Sequence, residues 1–333
     1  MVFFITVLRA LAACLITNSH YTGIYPTDLI ANGGLIGDIL FFAVSGYCLY
    51  HIKLSFPRWY GKRLWRVFLP VWLGTAVLLL TGGYHFADMP WYEWFFYPTY
   101  YHFVASIILL YIPFYIVVRI KPLREHLLLV MGGGAAVMLV VYFAFYDRSY
   151  YHIDTVREPF IRFLFMESML LGAYFKQKEE KYRNSFSWWH VVGTFISFVV
   201  YFASKLVFSR YTTSFGILGE IQIINQVLIF VLLYFIFRLF GGLDAKLSRL
   251  PAAIRKVIGF IADMTLEIYI VQYVLISVLR RFGLMFPLNW LVITAAIILA
   301  AWILHWVCKL IYRLVDHISE AISDKRKSAR GSV

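Results

Sequence analysis

Apolar runs of about 20 residues, the length that a helix needs to cross a bilayer, recur ten times along this 333-residue chain. They exclude a water-soluble fold, because 61% of the residues are hydrophobic and only 15% are charged, whereas soluble domains carry about 25% charged residues. We therefore predict an all-α polytopic membrane protein with about ten transmembrane helices. The predicted spans cover residues 3–20, 33–52, 64–82, 101–119, 126–146, 160–175, 189–208, 221–240, 257–279 and 289–312.

The basic residues predict how these spans are oriented. The net charge is +13, and the lysines and arginines concentrate in every second loop and in the C-terminal segment. The positive-inside rule puts those segments and both termini in the cytoplasm, with the multi-pass chain in the cell membrane. This distribution accounts for the positive charge without a nucleic-acid partner. The basic residues that fall on the outer side are Arg148, Arg157, Arg162, Lys205, Arg210, Arg280 and Arg281, and Arg9 remains inside the first span.

The loops between the spans are short, so we predict one transmembrane domain over residues 1–315 and a basic cytoplasmic tail over residues 316–333. No small-residue cleavage site follows the first apolar run, which indicates a retained helix rather than a signal peptide. Cys14, Cys48 and Cys308 all lie in apolar runs, and no Cys-x-x-Cys pair is present. We therefore expect neither a disulfide framework nor a metal site.

The first predicted span carries two unusual residues, Arg9 and His20. Eleven residues separate them, which is close to three helical turns, so both fall on one face about 16 Å apart along the axis. Arg9 lies toward the cytoplasmic side and His20 toward the outer side. An arginine inside a span needs a partner or a polar cavity, which suggests a functional site. The alternative is that Arg9 snorkels to the inner headgroups and His20 rests at the outer interface.

Three stretches near the N-terminus carry a more specific pattern. Arg9, ten intervening residues and His20 on the first span are followed by a Phe-Phe-x-x-Ser-Gly-aromatic stretch at Phe41–Tyr47 on the second. The start of the third span carries an Arg-x-x-Arg pair, Arg63 and Arg66, with Pro70 close behind. In this order and spacing, residues 8–70 resemble the acyltransferase-3 family of membrane-bound acyltransferases.

Later stretches extend this resemblance over most of the chain. Residues 265–272 resemble the family's Ser-x-x-Ile-Tyr-Leu-x-His stretch, with Gln272 in place of the common histidine. His102, Tyr111-Ile112-Pro113, and Arg162 with Gly172 resemble parts of its fourth and sixth helices. The sequence assigns no role to Glu167, Glu267 or Gln272.

The resemblance implies transfer of an acyl group, usually acetyl from acetyl-CoA, to a hydroxyl of a surface carbohydrate. His20 titrates near neutral pH and would act as the general base for an extracytoplasmic acceptor. Arg63 and Arg66 would bind the phosphates of CoA in the cytoplasm, although such basic clusters also arise from topology alone. Arg9 would hold the donor or stabilise the oxyanion.

Three further positions on the second span complete the predicted site. Matching depth between antiparallel helices places Ser45 and Gly46 near Arg9, where the small glycine could admit the pantetheine arm or simply pack two helices. Asp38, in the outer half of the span, could orient His20 or form an ion pair with Arg162.

The main hypothesis is therefore a membrane O-acetyltransferase of surface glycans. A transporter or flippase that moves a glycan, a lipid or an acyl group without catalysis also fits buried charges in ten spans, as does a membrane scaffold. The acceptor could be a capsular or exopolysaccharide repeat, an O-antigen sugar or a cell-wall sugar, and succinyl could replace acetyl. Lipids surround the chain, and it could assemble as a homo-oligomer.

Overall fold

The computed structural model describes residues 2–330, with side-chain surroundings up to residue 318. The described residues form an all-helical fold with 16 α-helices, two short 3-10 helices and no strand. The α-helices are α1 Phe3–Ser19, α2 Gly34–Leu49, α3 Phe56–Leu80, α4 Trp91–Phe95, α5 His102–Arg119, α6 Lys121–Glu125, α7 Leu127–Phe145, α8 Ile161–Gln177, α9 Glu179–Tyr182, α10 Trp188–Tyr211, α11 Gly216–Ile221, α12 Ile224–Gly242, α13 Asp244–Ser248, α14 Ala252–Asp263, α15 Thr265–Leu279 and α16 Leu288–Arg330. The 3-10 helices are Phe86–Asp88 and Arg280–Phe282.

Six helical segments of the described chain are long and apolar enough to cross a membrane, and the bent pair α14 and α15 would make a seventh if counted as one span. The six are Phe56–Leu80, His102–Arg119, Leu127–Phe145, Trp188–Tyr211, Gly216–Gly242 and Leu288–Ile318. α1 and α2 are apolar but have only 17 and 16 residues. Much of each helix is buried against neighbouring helices in the core. The chain is therefore an all-α membrane protein.

The prediction that the ninth span is one continuous helix is wrong. α14 and α15 meet at Met264 and are bent by 71° relative to each other. α14 is amphipathic, with Ile254, Val257 and Phe260 exposed on its surface. Hydropathy along the sequence averages over both halves, so a break between two apolar segments leaves no local signal.

The third and tenth spans are longer as helices than predicted. α3 begins at Phe56 with Pro57 in its first turn, ahead of the predicted start at residue 64, so both Arg63 and Arg66 lie on the helix. Lysine and arginine are good helix formers, and proline is favoured in the first turn, so the helix continues beyond the apolar run. α16 likewise extends to Arg330, and residues 331–333 at the end of the predicted tail lie outside the described residues.

The core centres on α2, which packs between α1 and α8. Its contact with α8 is made through two glycines: a Cβ on Gly46 would collide with the main chain at Met169, and one on Gly172 with the carbonyl oxygen of Ala43. Helix backbones approach this closely only where side chains are absent. The close approach at Gly46 is therefore made with α8.

Two polar residues of the predicted spans pair within the helix bundle. Glu267 on α15 accepts a 2.9 Å hydrogen bond from His305 on α16, which makes a polar anchor between these packed helices. His305 is thus the partner that the buried carboxylate of Glu267 requires, since an unpaired charge inside a membrane protein is costly.

Candidate functional site

A cavity of about 790 Å³ lies where α1 ends and α2 begins. The beginning of α5, the loop around Asp154 and the middle of α15 close its other sides. We call it the His20 cavity. Its polar and aromatic lining residues include Ser19, His20, Asp38, Tyr84, Glu93, Tyr100, Tyr101, His102, Asp154, Arg157, Lys205, Tyr269, Gln272 and Tyr273.

His20 is the first residue after α1 and is half-buried in the cavity wall. Its main-chain N–H donates to the carbonyl of Thr17, which closes the helix, and its ring meets the ring of Tyr273 edge-on at 5.9 Å. Within the described residues the imidazole makes no hydrogen bond. Burial lowers the pKa of His20 below its ordinary value of 6.5. The side chain is therefore a neutral base at pH 7, free to face a ligand.

Asp38 reaches the same cavity from α2 and is buried. The structure brings it together with His20 in one cavity wall, but no direct hydrogen bond or ion pair joins them among the described side chains. The alternative partner, Arg162, instead donates a 2.7 Å hydrogen bond to the hydroxyl of Tyr97. Asp38 is thus a carboxylate facing the cavity rather than a member of a formed pair.

Gln272 is a cavity residue to which the sequence assigned no role. Its side chain is 1% exposed, and its amide oxygen accepts a 2.6 Å hydrogen bond from the hydroxyl of Thr17 on α1. Its amide nitrogen has no partner within the described residues. Gln272 and Tyr273 follow Tyr269 by three and four residues, so the polar stripe on α15 was visible in the sequence as helical spacing.

The remaining wall combines aromatic rings with charged groups. Lys205 of α10 forms a 2.6 Å ion pair with Asp154, which ties the loop before α8 to α10. Glu93 accepts a hydrogen bond from Thr99, and Arg157 is exposed at the cavity. Tyrosine faces beside hydrogen-bonding groups are the lining expected for a polar ligand with apolar surfaces, such as a sugar ring.

A second group of predicted residues gathers at the opposite end of α1. Arg9, Arg63 and Lys176 all lie close enough to Cys48 to interact electrostatically with its thiol. Lys176 also lies 5.1 Å from the ring centre of Tyr47 and pairs with Glu179. The structure therefore joins α1, α2, α3 and α8 in one cationic cluster at the depth of Cys48.

The two arginines of the Arg-x-x-Arg pair differ in exposure. Arg63 is half-buried, while Arg66 beside it is exposed, and its carbonyl oxygen accepts a 3.3 Å hydrogen bond from Tyr312. Ser45 is half-buried on α2, next to Gly46 and three residues before Cys48.

The predicted site is thus divided into two parts. His20 and Asp38 line the His20 cavity, whereas Arg9, Ser45, Gly46, Arg63 and Arg66 are not among its lining residues in the described chain. Eleven residues of helix, about 16 Å, separate Arg9 from His20. Among the described residues, no three histidine, cysteine or acidic side chains converge to hold a metal ion.

Comparison with known proteins gives one match. The family described as Acyltransferase domain (Acyl_transf_3) matches residues 2–306, which contain every residue of both parts of the site. No curated protein matches the chain. No solved structure matches it either.

Proposed function

Because this chain belongs to the acyltransferase-3 family, we propose that it is a membrane O-acetyltransferase that moves an acetyl group from cytoplasmic acetyl-CoA to a hydroxyl of an extracytoplasmic polysaccharide. Membership of the family supports membrane acyltransferase activity. The donor, the acceptor and the roles of individual residues are part of our proposal. The observation that carries the proposal is the unpartnered imidazole of His20 in a tyrosine-lined cavity large enough for a sugar.

The proposal includes the topology. Ten crossings, with α1, α2 and α8 as short spans and α14 with α15 as a broken one, keep both termini in the cytoplasm of a cell membrane. The His20 cavity then opens to the outside, and the cationic cluster near Cys48 faces the cytoplasm. This arrangement puts each part of the site on the side where its substrate is found.

The acceptor reacts at His20. Nε2 or Nδ1 of the neutral ring takes the proton of a sugar hydroxyl as its oxygen attacks the thioester carbonyl of the donor. The carbon–oxygen bond forms, the carbon–sulfur bond breaks, and the CoA thiolate leaves and receives the proton from the imidazolium. Asp38, facing the same cavity, orients the ring during these steps.

The donor is held at the cationic cluster. Arg63 and Arg66 bind the phosphates of CoA, for which the planar guanidinium is well suited. Arg9 lies deeper on α1, between the phosphate site and His20, and stabilises the extended pantetheine arm or the oxyanion. Because Gly46 is in contact with α8, the arm passes beside Ser45 rather than over the glycine.

Mass spectrometry of surface glycan from cells with and without this protein tests the proposal. We expect acetyl groups on a hexose hydroxyl only when the protein is present, and label in the glycan when membranes receive acetyl-CoA labelled in its acetyl group. Identical glycans from both cell types, with the protein intact in the membrane, would exclude the acetyltransferase and favour a transporter or scaffold.

A further inference from the structure

A second cavity, of about 500 Å³, adjoins the His20 cavity. Ser19, His20 and Tyr273 line both cavities and form their shared wall. We call the second cavity the arginine groove. The groove is lined by Ser19, His20, Thr22, Tyr273, Ile276, Ser277, Arg280 and Arg281.

The groove differs from the His20 cavity in charge. The His20 cavity is of mixed charge: three acidic residues, Asp38, Glu93 and Asp154, line it together with Arg157 and with Lys205, which pairs with Asp154. The arginine groove is lined by two arginines and no acidic residue, and neither arginine forms an ion pair within the described side chains. The lining of the groove therefore offers an anionic group two unpaired positive charges and no acidic side chain.

Arg280 is held in position by the loop that follows His20. Its Nη1 donates to the carbonyl oxygen of Thr22 at 3.4 Å, and its guanidinium rests over Gly23. A Cβ on Gly23 would lie 2.9 Å from Cζ of Arg280, and the positive φ of Gly23, +74°, also favours glycine. The N–H of Gly23 donates to Asp28 at 2.6 Å, which fixes the turn. The loop is thus shaped around the guanidinium.

We propose that the arginine groove binds a phosphate or carboxylate group of the acceptor while the acceptor's reacting hydroxyl faces His20. Guanidinium groups bind both anions through paired N–H donors. Since His20 belongs to both cavities, an anion held by Arg280 and Arg281 brings the rest of the acceptor against the base. This inference rests on the proposed function and narrows its substrate class to acidic glycans or phosphate-linked sugars.

Binding of inorganic diphosphate tests the groove without requiring catalysis. The full chain in phosphatidylcholine nanodiscs should bind diphosphate in calorimetry, and the double variant R280Q/R281Q should bind it at least tenfold more weakly. Arg210→Gln is the matched control, because Arg210 is exposed, is predicted on the same side and lines neither cavity. Equal affinity in the wild type and the double variant would overturn the proposal.

Arg281→Gln alone keeps the test valid if the double variant does not fold, because the hydrogen bond to the loop that follows His20 comes from Arg280. We expect at least threefold weaker diphosphate binding from this variant. An unchanged affinity in a folded Arg281→Gln protein would also overturn the proposal.

Phosphatidylglycerol nanodiscs distinguish an acceptor from a lipid headgroup. Retained diphosphate binding by the wild type in this anionic bilayer supports an acceptor site. Loss of binding there, with binding intact in phosphatidylcholine, would assign the groove to lipid headgroups and overturn the acceptor proposal.

Acetyl transfer to methyl glucuronide and to methyl glucoside gives the last readout. In the double variant, the KM for the glucuronide should rise at least tenfold, and the kcat for the glucuronide should not change. The KM for the neutral glucoside should also stay unchanged. Equal effects on both sugars would overturn the proposal. If the wild type acetylates neither sugar nor its cells' glycan, the proposed function fails, and diphosphate binding still decides the groove.

Discussion

The hydroxyl of Thr17 donates a 2.6 Å hydrogen bond to the amide oxygen of Gln272, across 255 residues of sequence. Thr17 lies three residues before His20, so this bond ties the base-bearing end of α1 to the middle of α15. Both residues are buried, and the bond fixes the wall from which His20 and Tyr273 face the cavity.

Replacing Thr17 with valine removes this bond and keeps the shape of the side chain. The amide oxygen of Gln272 then lacks a partner in a buried site, which should cost about 1–3 kcal/mol of stability. We expect a lower Tm in detergent and a kcat reduced more than KM, because His20 loses its support. Ser209→Ala is the control, because it removes a comparable bond within α10 and Ser209 lines neither cavity. An unchanged Tm and kcat in Thr17→Val would contradict this role.

His20→Ala should abolish acetyl transfer while leaving the protein in the membrane. A general base contributes about 100-fold to 10,000-fold in rate, so the expected loss is at least 100-fold. Transfer of label from acetyl-CoA to glycan in membrane vesicles measures it. His126→Gln is the matched control, since His126 is exposed and lines no described cavity near His20. Comparable activity in the two variants would remove His20 from the mechanism.

The pH dependence of transfer should report the lowered pKa of His20. A histidine whose pKa lies below 6.5 is deprotonated at pH 7, so the base form is present there and is lost as the pH falls through the lowered pKa. We expect kcat/KM to be flat around pH 7 and to fall with a midpoint below 6.5. A profile from about pH 5 to about pH 8 tests this, as the catalytic base sets the acidic limb. A midpoint above 6.5 would be inconsistent with burial of this ring.

Arg63 and Arg66 should contribute unequally to CoA binding. Arg63 is half-buried near Cys48 with Arg9, whereas Arg66 is exposed. Arg63→Gln should therefore weaken CoA binding about tenfold and Arg66→Gln less, because screening by solvent weakens the exposed contact. Calorimetry in detergent measures both, with the exposed Lys62→Gln as control. A larger loss from Lys62→Gln than from Arg63→Gln would show a general charge effect instead of a site.

The contact between α2 and α8 should not tolerate a single added methyl group. Gly46→Ala and Gly172→Ala each place a Cβ against the main chain of the partner helix, and overpacking of this kind costs about 1–3 kcal/mol. We expect a clear drop in Tm for both. Gly133→Ala on α7 has open space and should keep or raise the Tm, since alanine favours the helix. Equal Tm values in all three variants would refute the close contact.

Local patterns in the sequence determined the class of this protein and part of its site. The apolar runs predicted helices because hydropathy and length are properties of single segments, and each predicted span falls on a helix or a helix pair. The Arg9–His20 spacing and the stretches at Phe41–Tyr47 and Arg63–Pro70 indicated the family that the match over residues 2–306 confirms. These signals need no knowledge of which helices touch.

Tertiary structure alone decided how those helices meet. The 71° bend at Met264, the bond from Thr17 to Gln272 and the wall that His20 shares between two cavities join residues far apart in sequence. Only the folded chain shows that Arg9 belongs with Cys48 and Arg63 while His20 belongs with Asp38 and Gln272. The reason is physical: hydropathy and helical spacing act within one segment, whereas a cavity and a hydrogen bond between helices depend on how several segments pack together.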